Sequence, residues 1–156
     1  QAVTSRGGMV NKFTGDGMLA VFGAPVSSGA DVDAANAVTA ALAIQQQIAD
    51  LNRSLSEEGQ PAMRIRIGIH SGTVLTGSLG SSERLEYAVI GDTVNCASRL
   101  ESLHKERQEG AVRVLLSSET QNLLTGLPPQ VHSEPWGAIN VKGRQEPLEV
   151  IELKST

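Results

Sequence analysis

The chain has 156 residues, a formal net charge of −4 at pH 7 and one cysteine, Cys96. That length supports one domain with its own core, here residues 1–156. The acidic balance argues against a nucleic-acid-coating surface, a lone cysteine excludes an internal disulfide framework, and no apolar run approaches the ~20 residues of a membrane span.

Taken in chain order, Gln1 to Gly8 is polar, ends in Gly7-Gly8, and reads as the tail of a helix. Met9 to Thr14 and Met18 to Phe22 read as strands joined at Gly15-Asp16-Gly17, because Asp-Gly between two apolar runs is a hairpin signal. Gly23-Ala24-Pro25 ends the second strand. Asp31 or Asp33 caps a helix running to about Leu55, with Ala34, Val38, Ala41, Leu42, Ile48 and Leu51 along one face. Glu57 to Pro61 is a solvated connector.

Met63 to His70 is the next strand, with Ile65, Ile67 and Ile69 on one face and Arg64, Arg66 and Gly68 on the other. Glycines 68, 72, 77 and 80 mark tight turns and close backbone approach. Leu85 to Ile90 reads as a strand, Gly91-Asp92 as a turn, and Thr93 to about Lys105 as a helix with Val94, Ala97 and Leu100 apolar. Val112 to Leu116 is a short strand, and Ser118-Glu-Thr-Gln121 has capping-box spacing for a helix that Gly126-Leu-Pro-Pro129 ends. Val131 to Ile139 and Leu148 to Leu153 read as an antiparallel pair, with Lys142-Gly-Arg-Gln in their connection. This order predicts an α/β (α+β) fold, a mixed sheet with helices packed on it. Met9, Met18 and Met63 read as core fillers, His70 as a packed histidine and Cys96 as a small buried hydrophobe in a reducing compartment.

Asn95 and Arg99 stand at i and i+4, on one helix face near its N-terminus. An amide and a fork of donors beside a positive helix end suit an oxyanion or a phosphate. By spacing alone the same pair also reads as two surface side chains.

The stretch Tyr87-Ala-Val-Ile-Gly-Asp-Thr-Val-Asn-Cys-Ala-Ser-Arg-Leu-Glu101 closely resembles the signature of class III nucleotide cyclase catalytic domains. Three further blocks agree, in the family's order: Lys12-Phe-Thr-Gly-Asp-Gly-Met-Leu-Ala-Val-Phe-Gly23, Ile67-Gly-Ile-His-Ser-Gly-Thr-Val-Leu-Thr-Gly77 and Ile139-Asn-Val-Lys-Gly143. Together they span nearly the whole chain. The resemblance implies a ferredoxin-like core and a cyclase reaction, in which a ribose 3′-oxygen attacks the α-phosphorus of its own nucleotide and pyrophosphate leaves. Such an enzyme needs little covalent chemistry from the protein: it folds the substrate, holds metal, and meets charge growing on the phosphoryl oxygens. Two Mg²⁺ or Mn²⁺ ions are implied, one activating the 3′-oxygen and one gripping the triphosphate, and such hard ions want carboxylates.

By this resemblance Asp16, otherwise an ordinary turn aspartate, is a metal ligand. The family's second metal aspartate lies in an earlier strand, in a Phe-x-Asp-Ile type motif that this sequence does not contain. The expectation is therefore a catalytic domain lacking its first strand. Lys12 occupies a purine-reading position, where a lysine donates to adenine N1 while guanine's N1–H prefers a carboxylate, so ATP is expected over GTP. The companion position holds Ala88, which cannot accept from the adenine amino group through its side chain; the carbonyl of Val89 or Ile90 could do so. A missing bond of this kind is worth about 0.5–1.5 kcal/mol and relaxes discrimination rather than abolishing it.

The resemblance further implies that Asn95 orients the ribose, Arg99 stabilises the pentavalent phosphorus and Lys142 contacts the terminal phosphates. Sites in this family form between two catalytic domains, so ATP bound by a symmetric homodimer is expected, with an upstream regulatory or sensor domain and no nucleic-acid partner. The expected location is the cytoplasm, or the cytoplasmic face of a membrane-tethered protein. Two alternatives are a guanylate cyclase and a degenerate cyclase-homology domain that only dimerises or regulates. A third, unrelated reading is a generic phosphate-binding α/β module, though not a P-loop NTPase by expectation, since no Gly-x-x-x-x-Gly-Lys-Ser/Thr run is present.

Overall fold

A computed structural model describes residues 1–81 and 84–155, and at 12–14, 79–81 and 84–88 it describes the backbone alone. Gly8–Thr14 (β1) and Gly17–Phe22 (β2) pair antiparallel, with a register shift between Val10 and Lys12. Gly15 turns the chain at φ +57°, which places Asp16 at the tip as expected. Ala30–Glu57 (α1) follows. Ile65–Ile69 (β3) leads into a second antiparallel pair, Leu75–Ser81 (β4) and Arg84–Ile90 (β5). Then come Asp92–Ser102 (α2), Val112–Ser117 (β6), Ser118–Leu123 (α3), Val131–Ile139 (β7) and Leu148–Ser155 (β8).

Four of these strands form one mixed sheet in the order β3-β6-β8-β7, with β3 parallel to β6 and the other neighbours antiparallel. Side-chain alternation gives this sheet two apolar faces. Val114, Leu116, Ile151 and Leu153 meet Val38 and Ala41 of α1, and Ile67 and Ile69 pack against the same cluster. Leu115, Leu148 and Val150 meet Cys96, Leu100 and Leu103, the first two on α2. The sheet is therefore sandwiched between α1 and α2. Leu100, Leu115 and Leu148 are wholly buried, and each such side chain contributes about 1.5–3 kcal/mol. The mixed α/β class, the β1–β2 hairpin, the alternation along β3, the β7–β8 pair and the burial of Cys96 all follow the sequence reading.

Several boundaries differ from expectation. The first residues form one 3-10 turn at Thr4–Arg6, closed by Gly7 at φ +80° and by Arg6 Nη1 donating to Ala2 O at 3.1 Å, rather than a helix tail. Gly29, not Asp31 or Asp33, is the N-cap of α1, and the Asp33 carboxylate instead accepts from the Ser28 amide at 3.3 Å and from the Ser27 hydroxyl. Ser117, one residue earlier than the capping-box reading, caps α3 by accepting from the Thr120 amide at 3.3 Å. The helix after Gly91 ends at Ser102, and a separate 3-10 turn covers Lys105–Arg107.

Gly77 and Gly80 lie inside β4 rather than in turns. Its Thr-Gly-Ser-Leu-Gly composition lacks apolar alternation, and the strand exists through its ladder with β5. Met18 and Met63 are 45% and 46% exposed, so they are not core fillers, and Leu51 is likewise largely outside the core.

Candidate functional site

The site is built on α2, which is held against the sheet along its length. At its N-terminus Gly91 is the N-cap at φ +139°, and its carbonyl accepts from the amides of Val94 at 3.1 Å and Asn95 at 3.4 Å. Thr93 Oγ1 donates to Thr73 O at 2.7 Å, tying the first turn to the segment after β3. Gly72 makes room for this contact, since a Cβ there would meet Thr93 Oγ1 at 2.6 Å. Midway, Gly68 of β3 lies directly beneath the helix: any Cβ there would run into the backbone of Ala97 and Glu101.

Two arginines close the far end. Arg113 of β6 is 1% exposed and points to the α2 side of the sheet, where it donates to the carbonyls of His104 at 2.9 Å, Glu101 at 3.0 Å and Leu100 at 3.4 Å. Its pKa is lowered, first by burial and then by the neighbouring Arg66 charge, against the opposing pull of Glu152, Glu101 and Glu106. Arg66 of β3 donates through Nε to Glu101 O at 3.2 Å and pairs with the Glu101 carboxylate at 3.3 Å. The C-terminal carbonyls of a helix carry partial negative charge, so cations are favourable there.

Cys96 and Leu100 face inward on α2, and Asn95 and Arg99 consequently face outward and are exposed. Among the described residues neither side chain has a hydrogen bond or ion pair, so both are available to a ligand or a second chain. The i, i+4 spacing seen in the sequence thus becomes one open face beside a helix N-terminus. Val89 and Ile90 lead directly into this helix, Val89 buried at 5% and Ile90 exposed at 58%. β5 pairs with β4 alone among the described residues, so alternate β5 carbonyls face away from β4, one of those two among them.

Lys142 sits on a turn beside the same helix end. The Arg144 amide donates to Val141 O at 3.0 Å, and Gly143 takes φ +87°, which puts exposed Lys142 at the corner of the turn. The turn faces the start of α2, with the Gly143 Cβ direction 3.9 Å from Asp92 Oδ1. Asn95, Arg99, Val89, Ile90 and Lys142 are therefore gathered around α2. Asp16 is elsewhere, exposed at the tip of the separate β1–β2 hairpin, which touches β5 through β1. The side chains of Lys12 and Ala88 lie outside the described residues; their backbones are in β1 and β5, with Ala88 opposite Gly77.

Metal chemistry is limited by the donor set. Asp16 offers one exposed carboxylate, the hard oxygen donor that Mg²⁺ or Mn²⁺ prefers. Among the described residues no group of three or more His, Cys, Asp or Glu side chains could hold a metal ion. The described residues thus fit one ligand of a two-ion site and not a complete coordination sphere.

Sequence reasoning missed two features around the site. One is Arg113, a charge at the centre of the apolar run Val112–Leu116; its position in that run was the available signal. The other is a polar cluster on the far side of the Lys142 turn. His70 Nδ1 lies 2.7 Å from Ser117 Oγ, Ser71 Oγ 2.9 Å from Thr120 Oγ1, and Arg144 Nη2 2.6 Å from Glu119 Oε2. His70 is packed, as expected, and its pKa is lowered chiefly by burial, with Glu119 opposing and Arg144 adding to the effect.

Comparison with known proteins bears on this arrangement. A family profile described as the adenylate and guanylate cyclase catalytic domain matches residues 6–153. Adenylate cyclase 1 of Rhizobium meliloti is 35% identical over 153 residues, covering 98% of this chain and 22% of that protein. The adenylate cyclase of Anabaena cylindrica is 33% identical over 161 residues, covering 99% of this chain and 30% of that protein. The chain therefore spans less than a third of the length of these curated relatives. Among solved structures, the adenylyl cyclase CyaB from P. aeruginosa superposes with a TM-score of 0.81 at 31% identity, covering 99% of this chain and 76% of that one. The guanylyl cyclase Cya2 does so with a TM-score of 0.78 at 30% identity, covering 99% and 74%. With the profile matching residues 6–153 and curated relatives 33–35% identical across nearly the whole chain, the chain belongs to the family of adenylate and guanylate cyclase catalytic domains.

Proposed function

We propose that residues 1–156 are one catalytic domain of an adenylate cyclase, which converts ATP to 3′,5′-cyclic AMP and pyrophosphate at the interface of a symmetric homodimer. The observation that carries this reading is the open α2 face, where Asn95 and Arg99 are both exposed and neither side chain has a partner among the described residues. Arg99 meets the charge that grows on the phosphoryl oxygens as the 3′-oxygen attacks. Asn95 holds the ribose, and Lys142, on the turn at the same helix end, contacts the terminal phosphates. A backbone carbonyl of Val89 or Ile90 accepts from the purine in place of Ala88.

Base choice rests on Lys12, whose ammonium is a donor suited to adenine N1. Because a guanylyl cyclase matches almost as well as an adenylyl cyclase, guanylate cyclase is the second reading. Two Mg²⁺ or Mn²⁺ ions, with Asp16 as one ligand, would supply activation of the 3′-oxygen and neutralisation of the triphosphate. The dimer is supported by two observations. Asp16 stands at the tip of the β1–β2 hairpin whereas Asn95 and Arg99 stand on α2, and Leu75 and Ile90, directly opposite in the β4–β5 ladder, are 67% and 58% exposed. A second copy would cover that apolar pair.

The length of the relatives supports a further regulatory or sensor domain in the whole protein. Among the described residues no helix is long and apolar enough to cross a membrane, and we place the domain in the cytoplasm or on the cytoplasmic face of a tethered protein.

The test is turnover of ATP and GTP by the full-length protein with Mn²⁺, alone and as mixed variants. Cyclic AMP should dominate, and Lys12→Glu should erode that preference; equal turnover of GTP by the unaltered protein would overturn the adenylate assignment. Asp16→Ala and Arg99→Ala should each be inactive as homodimers. Mixed, they should regain activity, since one site of the heterodimer carries both lesions and the other carries neither. Heterodimers that form without regaining activity would overturn the shared site.

A further inference from the structure

The Lys142 turn is pinned from both of its ends, and the two pins are different in kind. On the entering side Val141 is 8% exposed and belongs to the apolar cluster that includes Cys96 and Leu100 of α2. On the leaving side Arg144 reaches α3, where its Nη2 pairs with Glu119 Oε2 at 2.6 Å, while its Nε donates to Glu146 O at 3.0 Å. Glu119 is itself oriented, since Ser118 Oγ donates to its other carboxylate oxygen at 3.1 Å. The Arg144 and Glu119 side chains are only 23% and 37% exposed, so the pair is partly shielded from water. Between the pins, Lys142 and Gly143 are exposed, and Gly143 faces Asp92 in the first turn of α2.

A lysine side chain is a flexible stem, and its ammonium meets a phosphate efficiently only if its Cα is fixed. Nothing in the turn itself provides that: Val141–Arg144 is one hydrogen-bonded reversal within an eight-residue connection between β7 and β8. We propose that Glu119 and Arg144 are positioning residues that hold Lys142 against the α2 N-terminus, so that α3, which carries Glu119, contributes to triphosphate binding. This rests on the reading of Lys142 as a phosphate contact.

Charge and burial around the pair agree with the geometry. Partial burial works to raise the Glu119 pKa, but hydrogen bonds from Arg144, from its own backbone amide and from Ser118 outweigh it and hold the carboxyl below its ordinary range. The Arg144 pKa is raised, chiefly by the Glu119 hydrogen bond, with burial opposing and Cys96 of α2 adding to the rise.

The experiment compares Lys142→Ala, Glu119→Gln and Arg144→Lys in the full-length protein, with direct calorimetric binding of inorganic tripolyphosphate in Mn²⁺ and steady-state kinetics with ATP. Glu119→Gln should weaken tripolyphosphate binding on the order of tenfold, the usual effect of losing a group that orients a ligand-binding residue. It should raise the KM for ATP correspondingly and change kcat by less than about twofold, the signature of lost uniform binding. Arg144→Lys, which keeps the charge and loses the fork, should fall between Glu119→Gln and the unaltered protein. The reversed pair, Glu119→Arg with Arg144→Glu, should recover affinity relative to either reversal alone. If Lys142→Ala weakens tripolyphosphate binding while Glu119→Gln and Arg144→Lys bind normally, the positioning role is overturned and the Lys142 assignment stands. If Lys142→Ala also binds normally, both are overturned.

Discussion

Replacing Gly68 with alanine adds one methyl group where α2 rests on β3, and its effect can be worked from the packing. The new Cβ would stand 2.9 Å from Leu100 Cβ, and the backbone of Ala97 and Glu101 would be closer still. Carbon atoms pack at about 3.5–4.0 Å, so the helix must move away by roughly 1 Å; neither neighbour on the backbone has a rotamer to yield. Overpacking of this kind costs about 1–3 kcal/mol. For a chain of this size that lowers Tm by about 2–12 °C. Activity should suffer far more, because a displacement of about 1 Å at positioned catalytic groups costs on the order of 10²-fold in rate. Gly110→Ala is the matched control, since nothing lies within 4 Å of its Cβ direction, and it should stay within about ±0.5 kcal/mol. Thermal unfolding and cyclic-nucleotide kinetics on the full-length protein give both quantities. If Gly68→Ala melts near the unaltered temperature, the close approach of α2 to β3 is wrong. If it melts early but keeps its kcat, α2 does not carry groups whose position limits the reaction.

Arg113→Met leaves the His104 carbonyl without its side-chain donor and removes one of the donors to the Glu101 and Leu100 carbonyls, and should lose about 1–3 kcal/mol in urea unfolding, with Arg113→Lys recovering part. An unfolding midpoint unmoved by Arg113→Met would show that the buried guanidinium stabilises nothing. His70 has a pKa below its ordinary 6.5 in the folded chain because burial disfavours its charge. The unfolded chain therefore takes up the proton first, so His70's contribution is fully present above pH 6.5 and is lost as the pH falls through the folded pKa. His70→Asn should flatten that part of the stability–pH profile, and an unchanged slope between pH 7 and pH 5 would count against it. Arg99→Ala should lower kcat by about 10²–10³ with little change in KM, and Arg99→Lys should recover only part of the rate; a rise in KM at constant kcat would place Arg99 in ground-state binding instead.

What the residues announce in advance is mostly local. Asp16-Gly17 between two apolar runs is sufficient for the β1–β2 hairpin, and Ile65, Ile67 and Ile69 alternating with Arg66 and Gly68 state which face of β3 meets which helix. The outward pair Asn95 and Arg99 is readable from spacing once Cys96 and Leu100 define the inward face. β4 is not readable, because Leu75–Ser81 has no alternating apolar face and becomes a strand only by pairing with β5. The caps of α1 and α3 are displaced by short-range competition: Asp33 turns back to Ser27 and Ser28, and Ser117 takes the role expected of Ser118. The partners of Arg113 and Arg66 and the Glu119–Arg144 pairing are not legible in the sequence, since each acts on a group that the fold, and not the chain order, brings near.

Those long-range partners explain why one helix can present an open, charged face without losing its position. An exposed Asn95 and Arg99 contribute nothing to holding α2 in place, so its orientation must come from elsewhere. It comes from three levels of the structure: Thr93 on Thr73 at the start, the bare backbone of Gly68 in the middle, and Arg66 with Arg113 at the end. Each uses backbone groups of α2 or of the segment beside it, which leaves the outward side chains unencumbered. The buried Arg113 is costly on its own, and its Nε has no partner among the described residues, but its Nη1 and Nη2 donors meet the negative end of the helix, which offsets part of that cost. By contrast the β1–β2 hairpin, which carries Asp16, is a two-stranded sheet of its own. Under the proposed shared site, the Asp16 carboxylate of one subunit is registered against the Arg99 fork of the other. An interface that seats the hairpin of one subunit over the α2 face of another would supply that register, and would cover Leu75 and Ile90 in the same step.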